Sequence, residues 1–160
     1  MSPTPAWLGR IVSGGQTGVD RAALSVARSL GFPYGGWVPA GRRAEDGAIP
    51  PQFEGLRETP SSEYALRTRW NVRDSDATLI VTWGPPTGGT RLTLQAAERL
   101  GRPVCVADLE QNDAVTTTRA WLENHRPATL NVAGPRESGR SFDVGGAARA
   151  FLRQVLASGP

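Results

Sequence analysis

The amino-acid sequence predicts an α/β fold with a parallel central sheet. Strand and helix signals alternate along the whole of the 160-residue chain, as in proteins built from repeated β–α units. The clearest strand signal, over residues 77–83, is a continuous apolar run, which is typical of a sheet covered on both faces. Glycine-rich turns stand between strands and helices. We therefore expect right-handed connections and a ligand site beyond the carboxyl ends of the strands.

The first part of the chain predicts two strands, a helix and a long loop. A short strand is predicted at residues 11–12 and a weaker one at 35–39. Residues 40–62 are rich in glycine, proline and charge, and a structureless loop of that length is usually functional or disordered. A helix is predicted over residues 19–30 and ends at Gly31, because apolar residues recur at helical spacing: Ala22, Ala23, Val26, Ala27 and Leu30.

The remainder of the chain continues the alternation. Helices are predicted at residues 63–74, 91–100, 114–124 and 143–157, and strands at 77–83, 103–107 and 128–132. Gly101 ends the second of these helices. There is no internal repeat, and a chain of this length normally forms one domain. The sequence therefore predicts a single domain over residues 1–160.

The composition excludes several classes of protein. Cys105 is the single cysteine, so no intramolecular disulfide can form, and its apolar surroundings favour a buried structural thiol over a nucleophile. No segment has the length and apolar character of a membrane span. The first residues lack the basic flank and apolar stretch of a signal peptide, so we expect a cytoplasmic protein without a membrane partner.

The charged residues are unusual because lysine is absent. The net charge is +3, and all 18 basic residues are arginines. Any basic ligand to a phosphate group must therefore be an arginine, which suits bidentate contact with phosphate oxygens. The charges are scattered, without a basic stripe interleaved with aromatic residues, so nucleic acid is not an expected partner.

A first glycine-rich turn, Ser-Gly-Gly-Gln-Thr-Gly-Val-Asp at residues 13–20, joins a strand to a helix. The free N–H groups and the dipole of a helix N-terminus favour an anion there. The turn matches neither the G-x-G-x-x-G pattern of dinucleotide-binding proteins nor the P-loop, and a tight turn without a ligand is the alternative. The candidate ligand-binding residues in it are Gly14, Gly15, Gln16 and Thr17.

Two further turns also follow predicted strands. Gly88, Gly89 and Thr90 precede a helix, where they could bind an anion or act only as a helix cap. The segment 131–139 carries Arg136 and Ser138, which could face the same cleft or belong to an ordinary polar loop. Because two independent strand-to-helix glycine turns occur, a shared pocket for a phosphorylated small molecule is the preferred interpretation.

The other candidate side chains are charged. Arg42 lies in a loop of mixed charge that could clamp a ligand, although a solvated charge run is the usual explanation. Arg67 lies on a predicted helix, where surface ion pairing is the alternative to ligand binding. His125, the only histidine, lies near a helix end and favours a dipole interaction over a catalytic role. No catalytic residue is assigned, and no metal-ligand cluster is found.

Taken together, the ordered motifs resemble those of the molybdenum-cofactor carrier family over nearly the whole chain. They include the residue blocks 13–24, 36–39, 41–47, 58–59, 71–72, 74–80, 88–90 and 131–138, together with Tyr64, Arg67 and Thr68. The resemblance implies a three-layer Rossmann-like fold with a mainly parallel sheet flanked by helices. The family belongs to a group that includes the lysine-decarboxylase-like phosphoribohydrolases.

The resemblance also implies a function. It predicts a cytoplasmic homo-oligomer, a dimer or tetramer, that holds molybdenum cofactor (molybdopterin) or a related phosphorylated ligand without turning it over, with molybdoenzymes as partners. In the related phosphoribohydrolases a catalytic glutamate follows the second glycine turn, in a G-T-x-x-E pattern. Here Thr93 stands at that place, while the paired arginine is present as Arg67. A basic residue expected before Gly41 in carriers is replaced by Ala40.

Two alternatives to the carrier stay open. A nucleoside-monophosphate phosphoribohydrolase would need a carboxylate that replaces the missing glutamate, and Glu45 or Asp46 could supply it if the long loop folds over the pocket. A sensor domain for a nucleotide-derived ligand would use the same pocket without chemistry. The vacant glutamate position favours the carrier over the enzyme.

Overall fold

The computed structural model describes residues 4–157 of the chain. Residues 1–3 and 158–160 lie outside the described residues. Both ends of the predicted domain, and the start of the segment that was compared with a signal peptide, fall on these residues. The strands are β1 (Arg10–Val12), β2 (Tyr34–Val38), β3 (Arg43–Ala44), β4 (Gly47–Ala48), β5 (Leu56–Glu58), β6 (Ala77–Thr82), β7 (Val104–Asp108) and β8 (Thr129–Ala133). The helices are α1 (Val19–Leu30), α2 (Tyr64–Arg73), α3 (Gly88–Leu100), α4 (Ala114–His125) and α5 (Val144–Leu156).

Six strands form one parallel sheet in the order β5-β2-β1-β8-β6-β7, which confirms the predicted fold class. Helices cover both faces of the sheet: α1, α4 and α5 pack on one face, and α2 and α3 on the other. Every residue of β6 is buried, as its continuous apolar sequence predicts. The arrangement is the three-layer, Rossmann-like α/β fold.

The strand order decides where a ligand site can form. β8 is the last strand in the chain, yet it lies in the middle of the sheet, paired with β1 on one side and β6 on the other. In a parallel sheet the carboxyl ends of neighbouring strands lie at the same edge. The three turns that follow β1, β6 and β8 are therefore brought together at this edge.

The structure corrects the prediction of a structureless loop over residues 40–62. This segment contains a 3₁₀ turn at Ala40–Arg42, the antiparallel hairpin of β3 and β4, and the edge strand β5. Ile49 and Phe53 are buried and pack in a small core cluster that includes Leu24 of α1. Strands of two or three residues are too short to give an alternating pattern, so sequence periodicity could not detect them.

Helix α3 begins at Gly88, three residues earlier than the predicted start at Arg91. Because glycine is a poor helix former, helix propensity does not predict a helix at Gly88 and Gly89. Thr87 is the N-cap residue, with extended backbone. The consequence is that the second glycine turn is itself the N-terminus of a helix.

Candidate ligand-binding site

A cavity of about 290 Å³ opens at the carboxyl ends of β1, β6 and β8. Its walls come from all three turns and from α2. The residues that line it come from these turns and from α2 and α3, and include Gly14, Gln16, Asp20, Arg67, Gly88, Thr93, Arg136 and Arg140. The predicted residues Gly89, Thr90 and Ser138 line the same cavity.

Four backbone donors of the first glycine turn and the helix start that follows it are already hydrogen-bonded within the protein. The N–H groups of Gly15 and Gln16 donate to the Ser13 hydroxyl and the Asp20 carboxylate, at 3.3 Å each. The N–H of Thr17 donates to Oε1 of the Gln16 side chain at 3.1 Å, and that of Val19 to the carbonyl of a residue after β8 at 3.1 Å. These donors are therefore occupied before any ligand arrives.

The second turn has free donors at the start of its helix. Within residues 4–157, the N–H groups of Gly88 and Gly89 have no hydrogen-bond acceptor. Thr90 N–H donates back to the Thr87 carbonyl at 3.1 Å. Free N–H groups and the helix dipole make the start of α3 the more favourable place for an anion.

The backbone at Gly14 lies so close to Arg67 that there is no room for a side chain. A Cβ atom at this position would lie 2.4 Å from Nη1 of Arg67. Instead, Nη1 of Arg67 donates to the Gly14 carbonyl at 2.6 Å. Glycine at this point of the first turn thus lets the guanidinium of α2 lie against the backbone and reach the cavity.

Arg67 and Asp20 form a buried ion pair at the wall of the cavity. The Arg67 Nη1 atom lies 3.5 Å from Oδ2 of Asp20, and the two residues are 8% and 5% exposed. Burial raises the pKa of Asp20 to about 6, although Arg67, the Gln16 N–H and Arg21 act in the opposite direction. Desolvation therefore outweighs the attraction of two arginines.

Arg67 keeps part of its donor capacity for a ligand. Its Nε donates to the Thr68 hydroxyl at 3.1 Å, and Nη1 is used by Gly14 and Asp20. Among the described residues, Nη2 has no acceptor. A guanidinium held in this way can present its remaining N–H groups to an anion without first being ordered.

Glu45, which follows β3, holds the third turn, the one after β8, in place beside the cavity. The Glu45 carboxylate accepts hydrogen bonds from the hydroxyls of Thr17 and Ser138 and from the Ser138 N–H. These bonds, with the charge of Arg136 at 3.8 Å, lower the pKa of Glu45 despite some desolvation. The long segment 40–62 thus contributes to the site through one carboxylate that fixes a neighbouring loop.

Three predicted site residues lie outside the cavity wall. Gly15 packs against Ile49, whose Cδ1 atom would be 2.5 Å from an added Cβ. Thr17 bridges Glu45 and the N–H of Glu137. Arg42 donates through Nε and Nη2 to three backbone carbonyls of the 49–53 segment, at 2.9 to 3.2 Å. In this structure these residues hold the turns in place.

Sequence reasoning missed two charged residues of the cavity. Asp20 stands inside the first motif, but an acidic residue in the first turn of a helix is ordinarily explained by the helix dipole. Arg140 lies beyond the last conspicuous motif and lines the cavity together with Arg136. The sequence signal for Asp20 is that it stands among apolar residues of α1, where a carboxylate is expected only if it has a buried partner.

Other sequence expectations concern residues away from the cavity. Cys105 is buried, as predicted, and burial raises its pKa. His125 is the last residue of α4, and its Nδ1 lies 3.0 Å from the Trp121 carbonyl. Across residues 4–157 no group of three His, Cys, Asp or Glu side chains is placed to hold a metal ion. In the same range no helix is both long and apolar enough to cross a membrane.

The fold and the cavity define the class: a Rossmann-like α/β domain with a polar cleft at the carboxyl ends of its central strands. A model of the circularly permutated YpsA SLOG family matches residues 11–156. The chain therefore belongs to the circularly permutated YpsA SLOG family. The central position of β8, the last strand in sequence, agrees with a permuted chain order.

One solved structure is similar throughout. It is the crystal structure of a protein from Syntrophus aciditrophicus SB named "Putative molybdenum carrier protein", with 42% sequence identity, 98% of each chain covered and a TM-score of 0.89. No curated protein gave a significant match. The similarity extends the resemblance noted from the motifs to the whole fold.

Proposed function

We propose that this protein binds a phosphorylated small molecule in the cavity and that the ligand is molybdenum cofactor (molybdopterin), which it carries without chemical turnover. The observation that carries the proposal is the free N-terminus of α3 in a cavity that Arg67 also lines. Backbone N–H groups and a guanidinium together provide the donors that a terminal phosphate needs. Gly88, Gly89 and Thr90 are the proposed phosphate ligands, with Arg67.

The charges at the cavity favour an anionic ligand. Arg67, Arg136 and Arg140 line it, and Asp20 is the single carboxylate among the described lining residues. Arg136 lies 3.8 Å from Glu45 and is half exposed, so it can turn from that carboxylate to a ligand. Gly14, Gln16 and Ser138 complete the proposed contacts on the opposite wall. Gly15, Thr17 and Arg42 are proposed to support the site from outside the cavity wall.

Molybdopterin is proposed because of the similar protein. The solved structure with 42% identity is named as a molybdenum carrier, and the motif resemblance leads to the same family of ligands. A terminal phosphate is the part of molybdopterin that the start of α3 would bind. The size of the cavity, about 290 Å³, is at the lower end of the range of small-molecule pockets.

Carriage without turnover is proposed because of Thr93. Its hydroxyl lies at the cavity wall and donates to the Gly89 carbonyl at 3.1 Å. A hydroxyl group engaged in this way cannot supply the negative charge that a glutamate provides at the corresponding place in the phosphoribohydrolases. The site therefore offers binding groups without the carboxylate of that chemistry.

The proposal is tested with purified protein and molybdenum cofactor. We expect the protein to protect the cofactor from decay and to transfer it to an apo-molybdoenzyme, and Arg67→Gln to lose both effects. Arg69→Gln is the matched control, because Arg69 lies on the same helix, is exposed and does not line the cavity. Protection no better than that given by an unrelated protein would exclude the carrier function.

A phosphoribohydrolase is the second candidate, favoured by Arg67 in the cavity. Glu45 and Asp46 are not lining residues: Glu45 binds the third turn, and Asp46 pairs with Arg21 at 2.6 Å. Asp20 is the carboxylate that lies at the cavity. The test is release of free base from a panel of nucleoside 5′-monophosphates, repeated with Asp20→Asn and Glu45→Gln. No release from any of them excludes this activity.

We further propose a cytoplasmic homo-oligomer, a dimer or tetramer, that supplies molybdoenzymes. This rests on the family resemblance of the sequence motifs. Light scattering on a gel-filtration column measures the oligomer mass. A protein that stays a monomer over its working concentration range would contradict this part of the proposal.

A further inference from the structure

The cavity contains its own anion. The Asp20 carboxylate lies 3.5 Å from the Arg67 guanidinium, the two residues are 5% and 8% exposed, and both line the cavity. In the free protein the Asp20 carboxylate therefore pairs with the Arg67 guanidinium, as a ligand phosphate would do when bound. Two anions that share one buried guanidinium repel each other strongly, because the local dielectric is low.

We infer that Asp20 is a competing internal anion, which releases Arg67 and takes up one proton from solvent when a tetrahedral dianion of the phosphate or sulfate class binds. The inference rests on the proposed function, since it concerns the same cavity. One O–H bond forms at the Asp20 carboxylate, and no other covalent change is needed. Asp20 thereby makes ligand affinity depend on pH.

The surroundings of Asp20 fit this exchange. Arg67 faces it from α2, Arg21 lies on its own helix, and the N–H groups of Gln16 and Gly134 approach from the turns after β1 and β8. Burial already disfavours the charged form of this carboxyl, so its pKa is raised to about 6 in the absence of ligand. A second negative charge beside Arg67 raises this pKa further, which means that binding and protonation favour each other.

The direction of the pH dependence follows from linkage. Above about pH 6 the free protein has Asp20 ionised, so binding must be accompanied by proton uptake and weakens as the pH rises. The limit is about tenfold in Kd for each pH unit. A carrier with this property would hold its phosphorylated cargo more tightly in mildly acidic solution and release it as the pH rises.

Sulfate is the probe for the test, because it remains a dianion from pH 5 to 8 and any pH dependence then belongs to the protein. Titration calorimetry on the full chain should give a Kd at least tenfold weaker at pH 8 than at pH 6. At pH 7, measurements in two buffers of different ionisation enthalpy should show close to one proton taken up per sulfate bound. This second measurement needs no variant.

Variants assign the effect to Asp20. Asp20→Asn should bind sulfate with less than twofold change over the same pH range, and more tightly than the natural protein at pH 8. His125→Gln is the control, since His125 lies at the end of α4, away from the cavity. It should keep the natural pH dependence.

The outcomes separate the two proposals. Sulfate binding that is independent of pH and takes up no proton overturns this inference and leaves the proposed anion site standing. Loss of the pH dependence in His125→Gln, with its retention in Asp20→Asn, also overturns it. Absence of binding by both sulfate and inorganic phosphate overturns the proposed function, and this inference with it.

Discussion

Replacing Asp20 by asparagine should stabilise the folded protein above neutral pH. The pKa of this buried carboxyl is raised from 3.8 to about 6. The folded state therefore binds the proton more tightly than the unfolded state, and the free energy of unfolding falls as the pH rises from about 4 to about 6 and stays low above it. Asparagine resembles the protonated, neutral form and can still accept the Gln16 N–H with its carbonyl oxygen.

The size of the effect follows from the shift. About two pKa units at about 1.4 kcal/mol each give a destabilisation of about 3 kcal/mol at pH 8. At pH 4 the same treatment leaves less than about 1 kcal/mol, because the carboxyl is then largely protonated in the folded state and partly protonated in the unfolded state. The stability gained by Asp20→Asn should therefore be larger at pH 8 than at pH 4 by about 2 kcal/mol.

Urea unfolding followed by circular dichroism at pH 4, 6 and 8 measures this difference. The natural protein and the variant are compared at each pH, so the titration of all other groups cancels. A variant that is less stable than the natural protein at pH 8 would refute the reasoning. In that case the attraction of Arg67 outweighs the desolvation of Asp20, and the carboxylate is held ionised at the wall of the cavity.

Three further substitutions test the assignment of individual residues. Gly14→Ala should displace the Arg67 guanidinium, since the new Cβ would lie 2.4 Å from Nη1; we expect a loss of about 1–3 kcal/mol in urea unfolding and sulfate affinity at least tenfold weaker in calorimetry. Arg42→Gln removes hydrogen bonds to three backbone carbonyls and should lower the free energy of unfolding by about 2 kcal/mol. Sulfate affinity should stay within twofold. A loss of affinity without a loss of stability would instead make Arg42 a ligand contact. Thr93→Glu adds a negative charge at the cavity wall and should weaken sulfate binding about tenfold or more. The comparison is with Thr93→Gln, whose side chain has a similar shape without the charge. Equal affinities of the two variants would place the anion elsewhere.

Much of the architecture could be predicted because it depends on local patterns. Helix α1 has the predicted bounds: its apolar face is continuous, and Gly31 adopts the left-handed conformation, φ 83°, that ends it. The buried strand β6 is likewise evident from its composition. The hairpin of β3 and β4 and the edge strand β5 were missed, because so few residues carry no periodic signal and their stability comes from contacts with distant parts of the chain.

The sequence by itself determined the α/β class, the places where strands turn into helices, and a set of polar and glycine residues at those places. It could not say which N–H groups at these turns are free. The two turns look alike in sequence, but in the first the N–H groups of Gly15, Gln16, Thr17 and Val19 are bonded to Ser13, Asp20, Gln16 and a carbonyl after β8. Within residues 4–157 the N–H groups of Gly88 and Gly89, at the start of α3, have no acceptor.

Only the tertiary structure decided that difference, and it also brought Asp20 of α1 against Arg67 of α2. Insertion of the last strand, β8, between β1 and β6 sets the three turns at one edge of the sheet. Such contacts join residues far apart in the chain, so their burial, and the raised pKa of Asp20, depend on how the layers pack. Local patterns specify the elements, whereas electrostatics in a buried cleft depend on what surrounds each charge in three dimensions.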